Sequence, residues 1–219
     1  MARPSIAPNP QLARLLLEAY RPCVNFGICR EAVWNPSRGH IPRGFVGATG
    51  PLAEVEVVMV FAEPGHPHEL ETYDPKAEPE ELLMAGVRHT HACFASGQDQ
   101  FHRNVRWFLS RLFPELPFER QLRRAWLTEG RLCSVTSEIG GTKDRRCASH
   151  YLARQLALMP NATVVAFGGK AKDYMKMLGG AWIGASALSP PGANFAAARP
   201  SWEAAIAAVE ARRAVAVSR

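Results

Sequence analysis

The apolar residues of the chain fall into short, dense runs that alternate with stretches of helical repeat. The run Val57–Phe61, preceded by Val55, is mostly β-branched, a pattern typical of a strand buried on both faces. Similar runs occupy 126–133 and 161–167. Helical spacing of apolar residues occurs at 10–20, 103–113, 118–126, 148–159, 171–178 and 202–213. This alternation predicts an α/β fold, a three-layer α/β/α sandwich with a mostly parallel central sheet.

The segment 66–100 interrupts this alternation and is predicted to be an insertion within one domain that spans residues 1–219. A chain of 219 residues with 47% hydrophobic content is long enough to bury a core. The insertion contains His89, His91 and Cys93, which would share one face of an extended segment. A zinc site is one interpretation. We favour a lid with incidental histidines, because no fourth ligand is evident.

The charge of the chain favours a polyanionic partner. The formal net charge is +6 and the pI is near 9.3. Arginines are densest between 103 and 124, which is compatible with a footprint on backbone phosphates or with a solvated helix surface. No apolar run approaches the roughly 20 residues of a membrane span, and the N-terminus lacks the apolar core of a signal peptide. We therefore expect a cytoplasmic protein, and the sequence does not indicate its oligomeric state.

Candidate catalytic chemistry lies where the first predicted strand ends. Glu63 follows that strand and precedes Pro64 and Gly65. Open α/β sheets build their ligand sites at the carboxyl ends of strands, so this carboxylate is placed for chemistry. A solvated glutamate in an ordinary turn is the alternative. We expect the site where three loops converge, namely those after Phe61, Leu127 and Ala187.

Cysteine usage indicates thiols or metal ligands rather than disulfides. The chain has five cysteines, and its predicted location is reducing. Cys23 and Cys29 lie six positions apart in a turn-rich loop and can chelate one metal centre. Buried single cysteines are also common, so this pair alone is weak evidence for a metal.

Four segments, taken in order, carry a resemblance to a known family. AEPG at 62–65 is similar to a GEAPG motif, and Phe101 with the apolar pair at 108–109 is similar to PFVGxAGxLL. The segment 128–171 resembles TNVVKCRPP, CRPYLERQ and VIVALGRTA in succession, and 189–194 resembles the HPSP motif. These motifs belong to the uracil-DNA glycosylase superfamily. The chain is nearest to its family-4 type, which carries an iron–sulfur cluster, and the match runs from about 20 to 194.

The resemblance implies a DNA glycosylase that hydrolyses the N-glycosidic bond of a deaminated base for base excision repair. Glu63 would position or activate the water, and Phe101 would stack on the flipped base. The remaining substrate-binding positions would be Ala62, Pro64, Gly65, Glu129, Ser189 and Asn194. Glu129 replaces the usual base-binding asparagine and, when ionised, offers acceptors only. Hypoxanthine or xanthine is therefore an alternative substrate to uracil.

The same resemblance implies a metal centre. Cys23, Cys29, Cys133 and Cys147 take the positions of the family's cluster ligands, which implies a 4Fe-4S cluster. Zinc bound by the same thiolates, or no metal, are the alternatives. The cluster would pin the N-terminal arm to the sheet.

Two interpretations of function follow. The first is a monofunctional glycosylase acting on damaged DNA, since no lysine is expected in the loops of the site and a lyase mechanism is therefore disfavoured. The second is a catalytically weak or inactive nucleic-acid-binding iron–sulfur protein on the same fold. Substituting Glu63 distinguishes them, because only the first requires its carboxylate.

Overall fold

The structure is a computed structural model that describes residues 5–20, 23–136 and 144–217. Within these ranges a five-stranded sheet has the order β1-β3-β2-β4-β5, and only the β1 edge is antiparallel to its neighbour. The strands are β1 Val46–Gly47, β2 Val57–Phe61, β3 Ala125–Glu129, β4 Thr163–Phe167 and β5 Trp182–Ala185. The predicted α/β class with a mostly parallel sheet is confirmed.

Helices alternate with these strands. They are α1 Pro10–Leu17, α2 Pro79–Ser96, α3 Gln100–Leu112, α4 Phe118–Arg124, α5 Ala153–Ala157, α6 Gly168–Leu178 and α7 Ala198–Val217. A wider π-type turn, Ala148–Leu152, leads directly into α5. In the part of the chain that the structure describes, no helix has the length and apolar character needed to cross a membrane.

Alternate residues of the central strand β2 point into two separate cores. Val58 and Val60 belong to an apolar cluster that includes residues of α1, α2 and α6, whereas Val57 and Met59 belong to one that includes residues of α3, α4 and α7. Because successive side chains of a strand point to opposite faces, the two clusters lie on opposite faces of the sheet. This arrangement is compatible with the predicted three layers.

The centre of the segment 66–100 is part of a helical layer. Helix α2 buries Leu82, Leu83 and Val87 in the core, so an interpretation of this stretch as a lid does not fit. The prediction that His89, His91 and Cys93 would share an extended face is wrong, because these residues are helical. On a helix, positions 89 and 93 lie one turn apart on the same side. His91 instead packs against the ring of Phe118, with ring centroids 5.6 Å apart.

The last helix begins earlier than its pattern suggests. Its helical spacing of apolar residues begins at 202, but α7 starts at Ala198. The Ser201 hydroxyl donates to the Ala198 carbonyl (2.8 Å) and accepts from the Ser186 amide (2.9 Å), which ties the helix to the end of β5. Trp202 and Val209 are buried, as predicted.

Part of the arginine-rich region is paired within the protein. Arg123 forms a two-pronged ion pair with Glu54, with contacts of 2.5 and 2.8 Å, and Arg124 pairs with Glu56. Arg106 lies over the ring of Phe118, 4.0 Å from its centroid. These arginines support α3, α4 and the start of β2, so any phosphate contact would compete with existing interactions.

Candidate functional site

A cavity of about 750 Å³ opens at the carboxyl ends of β2, β3 and β4. Its volume is within the range of small-molecule sites. Seven of the eight residues predicted for catalysis or substrate binding line it: Ala62, Glu63, Pro64, Gly65, Phe101, Glu129 and Ser189. Asn194 does not line the cavity. Its Oδ1 accepts a hydrogen bond from Nε2 of Gln100 (2.7 Å), which is itself a lining residue.

Glu63 forms an ion pair with Lys170 inside this cavity. The side chains of Glu63 and Lys170 are only 6% and 19% exposed. Neighbouring strands β2 and β4 run parallel, with Val60 opposite Ala166. The residues that follow the two strands therefore lie close together at the same edge of the sheet. The expectation that no lysine belongs to the site is therefore wrong. The Gly-Gly-Lys sequence lacks the spacing of a phosphate loop, and it forms the first turn of α6.

Glu129 is buried at the carboxyl end of β3, with 4% of its surface exposed. Its Oε2 has no hydrogen-bond partner in the described structure. Burial raises the pKa of Glu129 well above its usual value, the charge of Glu63 raises it further, and Arg43 opposes the shift. Burial therefore disfavours the ionised form of Glu129. Gly44 allows this packing, because a Cβ there would lie 2.7 Å from Glu129 Oε1.

A charged network forms the cavity wall beside Arg43. Glu71 is buried and accepts hydrogen bonds from Nε of Arg43 (2.9 Å) and from the Tyr73 hydroxyl (2.6 Å). His89 Nε2 lies 3.3 Å from Glu71 Oε2 and 3.4 Å from Sγ of Cys93. These contacts with Cys93 and Glu71 raise the pKa of His89 to about 10, so the imidazole is charged at neutral pH.

The same network keeps Glu71 ionised. Burial alone would raise its pKa, but the hydrogen bond from His89, the charge of Arg43 and the hydrogen bond from Tyr73 lower it to about 2. Sequence analysis missed this network because Glu71 lies in a loop without a motif. The spacing of His89 and Cys93 brings the two side chains together only on a helix. It therefore indicates the network only once this stretch is known to be helical.

Phe101 supplies an aromatic wall at the start of α3. Its ring meets Phe61 edge to face with centroids 5.1 Å apart, and lies 5.7 Å from the ring of Phe94. Asp99 caps the helix by accepting from the His102 amide (3.0 Å), and its Oδ1 also lies 2.8 Å from Nδ1 of His102. Burial lowers the pKa of His102 despite this carboxylate. Asp99 thus fixes both the backbone and the imidazole at the cavity edge.

A second, much smaller cavity of about 20 Å³ is lined by the predicted metal-binding thiols, Cys23, Cys29, Cys133 and Cys147. Cysteines that are more than 100 residues apart in the sequence thus line the same cavity. Burial raises the pKa of Cys147 to about 12 and that of Cys133 well above its usual value, so these thiols are protonated without a metal. A bound metal would favour the thiolates, because its charge reverses this effect.

The sulfurs in this small cavity accept hydrogen bonds from the surrounding protein. The Tyr151 hydroxyl donates to Cys23 (3.1 Å), Nη2 of Arg131 donates to Cys29 (3.5 Å), and the Leu132 amide donates to Cys147 (3.3 Å). Among the described residues, no three His, Cys, Asp or Glu side chains converge as one metal ion requires. A four-iron cluster spaces its thiolates more widely, because each binds a different iron. Four cysteine thiols are a donor set that either a 4Fe-4S cluster or a tetrahedral zinc ion takes.

Comparison with models of known protein families finds no match, and comparison with curated proteins finds none either. The large cavity combines the Glu63–Lys170 ion pair, the buried carboxyl group of Glu129 and an aromatic wall that includes Phe101.

Proposed function

We propose that this chain is a monofunctional DNA glycosylase with a uracil-DNA glycosylase-like fold, which hydrolyses the N-glycosidic bond of a deaminated base. The observation that carries the proposal is the part-buried Glu63–Lys170 pair in a cavity with Phe101 on its wall. A base held in a duplex must be flipped out before an enzyme can cleave this bond, and a cavity of about 750 Å³ can receive it.

Glu63 would do the central chemistry. As the bond between C1′ and the base nitrogen breaks, its electron pair leaves with the base and positive charge develops on the sugar. A carboxylate beside C1′ stabilises that charge and orients the water that attacks C1′. Lys170 forms an ion pair with this carboxylate and holds it at the cavity. The products are the free base and an abasic site.

The remaining lining residues would bind the flipped nucleotide. The ring of Phe101 offers a face for stacking, and stacking on aromatic side chains contributes about 1–3 kcal/mol per base. Gly65 is exposed at the cavity and has no side chain, so a nucleotide can approach its backbone closely. Ser189 lies on the loop after β5 and would contact the flanking backbone of the DNA.

The test is release of free base by the wild-type protein. Matched single- and double-stranded oligonucleotides containing uracil, hypoxanthine, xanthine or no lesion would be incubated with excess protein, and released bases would be identified by mass spectrometry. The proposal predicts release of at least one deaminated base and none from undamaged DNA. DNA binding without any release would instead support the second function, a non-catalytic nucleic-acid-binding protein.

Lys170 raises the question of a lyase step, and we expect none. Its ammonium is held by Glu63, whereas a lyase needs a free amine that attacks C1′ of an abasic site. Borohydride treatment of the protein with abasic oligonucleotide should therefore trap no covalent adduct. An adduct that forms with wild type and disappears in Lys170→Met would contradict a monofunctional mechanism.

We also propose a 4Fe-4S cluster held by the four clustered thiols, Cys23, Cys29, Cys133 and Cys147. Bound there, it would cross-link the N-terminal arm to the segment that follows β3. Anaerobically purified protein should contain about four iron atoms per chain and absorb visible light. Cys133→Ser should lose most of this iron, whereas Cys93→Ser, which alters a cysteine of the other cavity, should retain it. Stoichiometric zinc without iron would contradict the cluster.

A further inference from the structure

A short segment after β3, residues 131–134, contacts the linings of both cavities and forms a shared wall between them. Three of its residues line the small cavity, namely Arg131, Leu132 and Cys133. The same segment bonds to residues 62–65, the Glu63 loop, which line the large cavity. A displacement of the shared wall would therefore reach the proposed catalytic carboxylate.

The shared wall holds the start of the Glu63 loop directly. Beyond the end of β3, the Gly130 amide donates to the Phe61 carbonyl (2.9 Å). The Arg131 amide donates to the Ala62 carbonyl (3.0 Å). These two bonds extend the parallel pairing of β2 and β3 to the residue before Glu63. The position of this carboxylate therefore depends on where Arg131 lies.

The other end of the Glu63 loop is held by Arg43, which is itself attached to the shared wall. Nη2 of Arg43 donates to the Gly65 carbonyl (2.5 Å). Its Nη1 donates to the Ser134 hydroxyl (2.8 Å), and its amide donates to the Leu132 carbonyl (2.9 Å). Both ends of the loop therefore follow the position of the shared wall.

The side chain of Arg131 ties the shared wall to the first pair of cysteines. Only 1% of this arginine is exposed, and its Nη2 donates to the Arg30 carbonyl and to Sγ of Cys29 (3.5 Å). The residue before it is packed tightly against α6, because a Cβ on Gly130 would lie 2.1 Å from the ring of Tyr174. The wall therefore has little room to absorb a displacement of Cys29.

We propose that Arg131 is a positioning residue that couples the small cavity to base release: its guanidinium is held beside Cys29, and its amide holds the loop of Glu63. A displacement of about 1 Å at a reacting group can cost about 100-fold in rate. A change in the small cavity that moves Cys29 therefore alters the rate through Arg131. The inference rests on the proposed function for the chemistry of Glu63, and every contact that it uses is made by the protein itself.

Substitution of Arg131 separates positioning from DNA binding. Arg131→Met removes the guanidinium and keeps the amide, and should lower single-turnover base release at least about 10-fold while affinity for the same oligonucleotide stays within about threefold. Arg131→Lys keeps a cationic donor for the Arg30 carbonyl and should recover part of the loss. The control Arg154→Met removes an arginine paired with Glu18 and should release base within about twofold of wild type. Unchanged release by folded Arg131→Met would overturn the inference.

A double variant shows whether Arg131 acts through Glu63. In the Glu63→Gln background, Arg131→Met should change the residual rate of base release by less than about twofold, because the carboxylate that it positions is already absent. The full loss of the single variant, repeated in that background, would contradict the coupling.

Hydrogen exchange measures the coupling without using activity. Arg131→Met should speed the exchange of a peptide covering 129–132, which contains the two amides that hold the Glu63 loop, while a peptide from α7 exchanges as in wild type. Unchanged exchange at 129–132, or equally faster exchange in both peptides, would overturn the inference. A wild type that releases no base from any oligonucleotide would overturn the proposed function instead, and the exchange result would still decide whether Arg131 holds the loop.

Discussion

Glu63→Gln should reduce single-turnover base release about 1,000-fold while leaving DNA affinity within about threefold of wild type. The amide has nearly the same shape, so stacking and backbone contacts to DNA remain. It carries no negative charge, however, and cannot stabilise the developing sugar cation or accept a proton from water. Quenched-flow release assays and fluorescence anisotropy with the same labelled oligonucleotide measure the two quantities separately.

A matched control is Glu69→Gln, which removes an exposed carboxylate from the neighbouring loop. Its release rate should stay within about twofold of the wild-type rate, because solvent screens an exposed charge at some distance from the site. If Glu63→Gln releases base at the wild-type rate, Glu63 is not the catalytic carboxylate. If Glu63→Gln loses DNA affinity as well as base release, the ion pair between Glu63 and Lys170 has a structural role.

The second large effect concerns folding stability. Glu71→Gln should lower the free energy of unfolding at pH 7 by about 3 kcal/mol, because it leaves Arg43 and charged His89 without their buried counter-ion. The pKa of Glu71 is lowered from 4.5 to about 2, so its contribution is present above the unfolded pKa and is lost as pH falls toward 2. Chemical denaturation at several pH values measures both.

The pH dependence separates this ion-pair effect from a packing defect. The gap in stability between wild type and Glu71→Gln should be largest near pH 7 and should close as the pH falls below about 4.5. Glu115→Gln, at an exposed position, should match wild type within about 0.5 kcal/mol throughout. A gap of constant size at all pH values would show that the charge of Glu71 does not stabilise the fold.

Strands β2, β3 and β4 could be predicted because each carries an apolar run, and the helices α3 and α7 because their apolar faces repeat. Strand β1 has two residues, and β5 is only partly buried, so neither produces a distinct apolar run. The extent of helix α2 could not be predicted for a related reason. Its polar residues, including His89 and His91, mask the helical repeat, and its capping box at Glu78 and Glu81 lies in an acidic stretch.

The site residues that could be predicted are those that lie at the carboxyl end of a strand. Glu63 and Glu129 follow or end parallel strands, and such positions converge by the geometry of the sheet. Lys170 obeys the same rule, since it lies in the first turn of α6, directly after β4. The protonation state of Glu129 could not be predicted, since it depends on burial and on which cations are already committed to Glu63 and Glu71.

The most direct measurement is a crystal structure of Glu63→Gln bound to an oligonucleotide that contains the base wild type releases. We expect this base to lie flipped out in the large cavity, stacked on Phe101 and hydrogen-bonded to Glu129, with C1′ of its sugar facing residue 63. A base that stays stacked in the DNA while the cavity remains empty, or DNA bound to another face of the protein, would contradict this expectation.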